Sequence, residues 1–135
     1  MTTYNSTDYP GDLVNYVDSR MAVDNVAISS PAGASQTIEV LGQPVDASGN
    51  ILAAASIANC VGVIITKKSV TLGDATALGD MAVLARGPAA INSAGLPALD
   101  YAGAAISAAT YKAEIQAMGD IAIKDPSPQV ETQTT

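Results

Sequence analysis

Two short apolar runs near the middle of the chain constrain its fold more than any other feature. Residues 60–66 (CVGVIIT) are rich in β-branched side chains, and residues 81–86 (MAVLAR) form a second apolar run of similar length. Both are shorter than a typical helix, and short continuous apolar runs favour strands that are buried on both faces. We therefore predict a compact β unit at the centre of the chain.

Glycine, aspartate and proline mark the connections around these two strands. The pairs at 73–74 and 79–80, each Gly-Asp, are typical of a loop between them. Gly87-Pro88 ends the second strand, because proline lacks the N–H that a β ladder needs and restricts the residue before it. Residues 89–92 then predict a brief extended segment, and residues 93–95 predict a further turn.

The residues before this central unit predict a first set of strands. Residues 26–29 begin the folded part, and residues 36–41 (QTIEVL) alternate polar and apolar side chains with the period of a strand. The alternation leaves open which face of this strand is the inner one. Residues 45–52 (VDASGNIL) are typical of a tight hairpin in which Gly49 adopts a positive φ.

The residues after the central unit predict one helix and one strand. Asp100 is a suitable N-cap for a helix over residues 101–118, and Gly119 fits the position after its last turn. A spacing of three to four residues predicts the apolar stripe of this helix: Ala102, Ile106, Ala109, Ala113 and Ala117. Residues 120–124 (DIAIK) alternate as a short strand.

The two ends of the chain differ from the body predicted for residues 26–124. Residues 1–25 show no sustained period but hold three of the five tyrosines, Tyr4, Tyr9 and Tyr16. They predict either a disordered leader or an extended arm that becomes ordered on a partner, and we favour the arm because tyrosine is a common anchor at interfaces. Residues 125–135 are polar and contain two prolines, which predicts a disordered tail.

Charge and composition argue against several classes of partner. The net charge is −7, and the six basic residues are scattered, whereas nucleic-acid binding and anionic membranes require clustered positive charge. No apolar run reaches the ~20 residues of a spanning helix, and residues 1–12 lack the pattern of a signal peptide. We expect synthesis in a cytoplasm, with neither nucleic acid nor membrane as partner. The absence of Phe and Trp leaves little apolar area per side chain, which favours an oligomer.

No catalytic, cofactor or metal constellation is evident in the sequence. The chain contains no histidine, which excludes Ser-His-Asp and Cys-His sites and histidine-based metal sites. Residues 73–80 lack the lysine of a phosphate loop, and Asp46 with Asn50 matches only part of a calcium loop. Cys60, the single cysteine, is predicted to be a small core residue. We therefore expect no enzymatic activity, cofactor or metal.

The order of several short segments resembles a known family. Residues 45–52 (VDASGNIL) are followed by VGVIITKKSVTL and then by MAVLARGPAAIN-SAGL. This order, spanning roughly residues 26–124, is similar to that of the lambda-type head decoration proteins of tailed bacteriophages, which stabilise capsids. The shared segments are structural in character, and none is a catalytic signature.

This resemblance implies a mainly β fold of the β-clip type with a small helical part, although a small α+β fold stays open. It implies a homotrimer on the outside of an expanded capsid, where it binds the major capsid protein and stabilises the shell against internal DNA pressure. It also implies that the N-terminal arm becomes ordered on the shell, which would place Tyr4, Tyr9 and Tyr16 at the capsid contact. The polar tail after Lys124 is longer than the family leads us to expect.

Two other functions stay open at this point. One is another trimeric virion part, such as a tail or fibre accessory protein. The other is a small enzyme or ligand-binding β domain that uses carboxylates such as Asp74 and Asp80. A carboxylate-based enzyme or ligand-binding domain predicts a concave pocket with converging carboxylates. A head decoration protein predicts instead surfaces through which it assembles.

Overall fold

The computed structural model describes residues 13–18, 21–32, 35–73 and 76–125. Within these residues the chain is mainly β and has a single α-helix, as predicted. The strands are β1 (Val14–Val17), β2 (Val23–Ser29), β3 (Thr37–Glu39), β4 (Pro44–Val45), β5 (Gly62–Ile64), β6 (Ser69–Thr71), β7 (Ala77–Leu84), β8 (Ala89–Asn92) and β9 (Ile121–Lys124). The α-helix α1 spans Ala108–Ala117, and 3₁₀ helices span Ala54–Asn59 and Ser93–Gly95.

The nine described strands form three sheets. The largest has the order β2-β7-β5-β4 and is antiparallel throughout. A second sheet has the order β1-β8-β9, in which β8 pairs with β1 antiparallel and with β9 parallel. The third sheet is the antiparallel pair of β3 and β6.

The four-stranded sheet separates two apolar clusters. Successive residues of β5 enter different clusters: Val63 packs with β1, β8 and α1, whereas Ile64 packs with the β3–β6 side. Leu84 and Val83 of β7 are divided in the same way. Side chains alternate between the faces of a strand, so a strand covered on both sides must be apolar at every position. The predicted buried strand within residues 60–66 is therefore confirmed for residues 62–64.

The loop predicted before the second central strand is wrong in part. Gly79 and Asp80 lie inside β7, which begins at Ala77 and pairs along its length with the seven-residue β2. The register of that pairing shifts between Ile28 and Ser29, close to Gly79. A glycine at such an irregularity lets the strand continue, so tertiary pairing has extended it past a local break signal.

The helix predicted over residues 101–118 begins too early. Helix α1 starts at Ala108, and its N-cap is Ser107, whose hydroxyl accepts a hydrogen bond from the Thr110 N–H at 3.3 Å. The residues of α1 that are buried are Tyr111 and Ile115, whereas Ala109, Ala113 and Ala117 are exposed. Of the predicted stripe, Ile106 is buried as expected, although it lies before α1. The alanines of the stripe are exposed, because a side chain as small as alanine fits on either face of a helix. Gly119 follows the C-cap Met118, as predicted.

The predicted arm extends too far into the chain. Leu13, Val14 and Val17 are buried in the larger apolar cluster, β1 pairs with β8, and β2 begins at Val23. The residues from 13 to 18 and from 21 to 25 therefore belong to the folded body, because their apolar side chains complete its core. Residues 1–12, with Tyr4 and Tyr9, lie outside the described residues.

Other local predictions are confirmed. Val45 and Ile51 form a β bridge that closes the predicted hairpin, and Gly49 has a φ of 85°. The extended segment at 89–92 is β8, and β9 lies where the last strand was predicted. The strand predicted at 36–41 is shorter in the structure, Thr37–Glu39, and its inner face is that of Ile38, which is half-buried between two exposed residues.

Candidate interaction surfaces

Strand β1 connects the N-terminal segment to the core. Its flanking residues Val14 and Val17 are buried, whereas Tyr16 points outward with 49% of its surface exposed. β1 lies at one edge of its sheet, with β8 on its inner side and no other described strand on its outer side. An edge strand offers unpaired backbone groups to a partner strand. Of the three predicted contact residues, the structure thus places only Tyr16, and it places it at a sheet edge.

A second surface centres on Val61, which the sequence placed in a strand buried on both faces. Its N–H donates a hydrogen bond to the Val45 carbonyl at 2.9 Å, but 49% of its surface is exposed. Three shallow depressions, of about 140, 240 and 480 Å³, share Val61 as a lining residue. The other aliphatic side chains that line them are alanines, valines and one methionine: Val26, Val45, Ala47, Ala58, Val83, Ala85, Ala117 and Met118. We call this the Val61 surface.

The Val61 surface carries acidic charge. Asp24, Asp46 and Glu114 line its depressions, and no lysine or arginine is among the lining residues described for them. The carboxylate of Asp24 pairs with Arg86 at 2.7 Å, with both side chains about half exposed. The carboxylate of Asp46 instead accepts hydrogen bonds within its own turn, from the N–H groups of Ser48 and Asn50. An apolar centre with a polar rim is the usual anatomy of a protein interface.

Cys60 borders the Val61 surface without being reactive. The side chain is 5% exposed, and its thiol donates to the Gly62 carbonyl at 3.3 Å. Burial raises the pKa of the Cys60 thiol to about 11. Because the thiolate is the nucleophilic form, the group is inert near neutral pH. The prediction of a small core residue is confirmed.

Of the two carboxylates considered for catalysis, the structure describes Asp80 alone. Asp80 lies exposed in β7 opposite Ala27, and Asp74 lies outside the described residues. In the part of the chain that the structure describes, no group of three or more Asp, Glu, Cys or His side chains is placed to hold a metal ion. The Asp46 carboxylate, which matched part of a calcium loop, is occupied by backbone N–H groups of its own turn.

A groove of about 290 Å³ lies on another part of the molecule, between the 3₁₀ helix at 93–95 and α1. Its lining is mostly apolar and includes Ser93, Leu96, Pro97, Ile106, Tyr111 and Lys112. The ring of Tyr111 is buried, and its hydroxyl donates to the Gly42 carbonyl, which fixes the ring as part of the lining. We call this the Tyr111 groove.

Asp125, the last described residue, lies beside this groove. Its carboxylate accepts hydrogen bonds from the Ser93 hydroxyl at 2.6 Å and from the Lys112 ammonium at 2.8 Å. The hydrogen bond from Lys112, together with that from Ser93, lowers the pKa of Asp125. The disordered tail predicted from residue 125 therefore begins with a residue that is tied to the body. Residues 126–135 lie outside the described residues.

Sequence reasoning missed both the exposure of Val61 and the burial of Tyr111. Val61 lies in an apolar run that is typical of a buried strand. No pattern in that run predicts that Val61 is exposed while Val63 and Ile64 are buried. Tyr111 lies in a segment whose alanines outnumber its larger apolar residues. The pair Tyr111 and Ile115, four residues apart, is the signal that identifies the inner face of α1.

Comparisons with protein-family models, with curated proteins and with solved structures each found no match. The resemblance to lambda-type head decoration proteins therefore stays a prediction. Among the described residues, none of the helical segments is long and apolar enough to cross a membrane.

Proposed function

We propose that the protein is a structural virion component that binds the outside of an expanded phage capsid as a homotrimer. Its partner in this proposal is the major capsid protein, and its role is to hold the shell against internal DNA pressure. The observation that carries the proposal is the placement of β1. Residues 1–12 precede β1, which lies at the edge of its sheet. Leu13, just before β1, and Val14 and Val17 within it are buried in the larger apolar cluster.

This placement suits a segment that must bear load. Leu13, Val14 and Val17 are at most 6% exposed, and burying each side chain stabilises the body by about 1.5–3 kcal/mol. A tensile force on residues 1–12 would therefore be transmitted to the larger apolar cluster and not to a surface loop. An extended segment in line with a strand can also add main-chain hydrogen bonds to a partner sheet, which requires little sequence specificity.

The Val61 surface supports the homotrimer. A cyclic trimer joins a patch on one subunit to a different patch on the next, so an exposed apolar centre needs no self-complementary shape. Small side chains such as Ala47 and Ala117 let a neighbouring backbone approach closely. Three arms on one trimer then bind together, and linked sites raise overall avidity by roughly a hundred- to ten-thousand-fold.

The charge of the chain supports a protein partner. The net charge is −7, and the basic residues are scattered, so phosphate backbones and anionic lipids are repelled. We place the mature protein on the capsid exterior after synthesis in the host cytoplasm. The β-clip topology expected from the resemblance belongs to the same proposal.

The first experiment separates the arm from the body. Deleting residues 1–12 should keep the trimer, measured by light scattering, and abolish co-sedimentation with expanded capsids. The deletion stops at residue 12 because removing residues 1–20 would also remove Leu13, Val14 and Val17 from the core. Undiminished capsid binding after this deletion would refute the arm. A full-length protein that is monomeric and also does not bind expanded capsids would refute the whole proposal.

The second experiment tests the trimer contact. Val61→Asp should dissociate the trimer, because a charge in a desolvated apolar contact costs several kcal/mol. Leu99→Asp is the matched control, since Leu99 is also exposed, at 54%, but does not line the depressions of the Val61 surface. Light scattering should show monomers for the first variant and trimers for the second. Trimers in both would place the contact elsewhere.

A further inference from the structure

We propose that the Tyr111 groove is a docking site for residues 126–130 of the same chain, which seat Pro126, Pro128 and Val130 against its apolar lining. The inference does not depend on the proposed virion function. It begins from the position of Asp125, whose two hydrogen-bond partners, Ser93 and Lys112, are themselves lining residues of the groove. The chain therefore leaves the described body at the edge of the groove.

The covalent link between Asp125 and residue 126 favours residues 126–130 over a separate partner as the ligand of the Tyr111 groove. Residue 126 is covalently joined to a residue held at the groove, so the effective concentration of the segment is in the millimolar range expected for short linkers. Five extended residues span at most roughly 17 Å, which confines the segment to the neighbourhood of its anchor. A weak apolar groove is then sufficient, because association requires no loss of translational freedom.

The composition of the segment matches the groove. The apolar residues after Asp125 are confined to positions 126, 128 and 130, whereas residues 131–135 (ETQTT) are polar. Alternate residues of an extended segment share one face, so these three side chains would all face the lining. Proline fixes its own φ and biases the preceding residue to extended backbone, which lowers the entropy lost on docking.

The groove offers the complementary surface. Leu96, Pro97 and Ile106 line it beside the ring of Tyr111, and Lys112 is the charged residue of the lining. Lys112 is already engaged by Asp125 at 2.8 Å, so the anchor neutralises the charge next to the apolar contact. An apolar groove of this kind is expected to hold a segment with few charges, and residues 126–130 carry none.

Disulfide trapping tests the proposal in the full-length protein. The double variant Ala98→Cys with Val130→Cys should form an intrachain disulfide under mild oxidation, since Ala98 lies exposed in the groove lining. The matched control is Ala98→Cys with Thr135→Cys, which shares the tether but lies five residues further along. We expect trapping about tenfold faster at position 130, because docking raises the local concentration of that position alone. Equal rates at the two positions would overturn the proposal, and so would disulfides formed between chains.

A second measurement keeps the proposal testable if trapping perturbs the fold. A chain that ends at Asp125 should show shifted backbone amide resonances for Leu96, Ala98 and Ala108. A synthetic peptide of residues 126–130 should move them back when it is added at millimolar concentration, which replaces the effect of the tether. Val130→Asp should reproduce the shifts, whereas Thr134→Asp should not. Unchanged resonances in the shortened chain would show that residues 126–135 do not occupy the groove. Loss of docking would leave the trimer and capsid experiments unaffected, so the two proposals fail separately.

Discussion

The turn at residues 46–50 and the turn at residues 100–104 share one hydrogen-bond pattern in different surroundings. In each, an aspartate Oδ1 accepts from the N–H groups two and four residues later: from Ser48 and Asn50 in the first, at 2.9 and 3.0 Å. In the second, Ala102 and Ala104 donate to Asp100, both at 2.8 Å. The fourth residue of each turn is a glycine with positive φ, 85° at Gly49 and 87° at Gly103.

The two turns differ in their tertiary contacts. The Asp46 carboxylate serves its own turn, whereas the Oδ2 of Asp100 also accepts from the Ala54 N–H at 2.8 Å and so fixes the start of the first 3₁₀ helix. Conversely, Gly49 packs against β2: its carbonyl accepts from the Ser29 N–H, and an added Cβ would lie 2.3 Å from the Ala27 carbonyl oxygen. An added Cβ at Gly103 would meet nothing within 4 Å. The pattern is local, but which residue matters in each turn is a tertiary property.

The largest effect is expected at Gly49. Gly49→Ala should lower the free energy of unfolding by about 3 kcal/mol or more, because a side chain at positive φ is strained and its Cβ would clash with the backbone of β2. Urea denaturation at fixed protein concentration measures the change. A loss below about 1 kcal/mol would show that the hairpin can move away from β2, and it would remove the contrast between the two glycines.

The next effect is expected at Asp100. Asp100→Ala should cost about 3 kcal/mol, because the N–H groups of Ala54, Ala102 and Ala104 all lose their acceptor at a residue that is 8% exposed. Asp46→Ala is the matched control and should cost about 1 kcal/mol, since its turn is more exposed and water replaces the lost acceptor. Equal losses in urea denaturation would mean that the contact with Ala54 does not stabilise the fold.

A smaller effect concerns the pH dependence of stability. Burial acts to raise the pKa of Asp100, but hydrogen bonds from Ala54, Ala104, Ala102 and Gly103 outweigh it, and the net shift is downward. A carboxyl whose pKa is lower in the folded state stabilises the protein above its unfolded pKa, near 4, and this contribution is lost as pH falls through the folded pKa.

The variant Asp100→Asn isolates this contribution, because its amide does not titrate. Between about pH 5 and pH 3, its free energy of unfolding should fall less than that of the unchanged protein. Thermal denaturation at several pH values measures both slopes. Parallel slopes would show that the four N–H groups do not favour the charged carboxylate of Asp100.

The smallest effect is expected at Gly103. Gly103→Ala should cost about 1 kcal/mol, which is the strain of a side chain at positive φ without any clash. Urea denaturation beside Gly49→Ala gives the difference directly. A cost as large as that of Gly49→Ala would mean that the two turns are equally constrained by their surroundings.

The same pair of turns shows where sequence reasoning succeeded and where it did not. Residues 45–52 predict a hairpin because Gly49 stands where a tight turn requires a positive φ. Asp100 precedes a stretch of alanines, so the same Asp-x-x-Gly pattern was interpreted as a helix N-cap. Local signals allow both uses of an aspartate side chain, and only the contact with Ala54 and the bridge between Leu99 and Ala105 select the turn.

The candidate surfaces were less predictable than the fold. The apolar run at 60–66 correctly predicts a strand buried on both faces around Val63, but the neighbouring Val61 is exposed. The tyrosine content of the first residues directs attention to the N-terminus, yet only the structure shows that Leu13, Val14 and Val17 are core. The Tyr111 groove has no sequence signature, because its lining comes from residues on either side of the turn at 100–104.

By itself, the sequence determined the class of the fold, the main strands, the hairpin at 45–52 and the inert character of Cys60. These follow from local period, turn chemistry and side-chain type, which act over a few residues. The tertiary structure decided the length of β7, the start of α1, the place of β1 in the core and the exposure of Val61. Each of these depends on which distant segment packs over the residue, and the local sequence around a residue does not specify that packing.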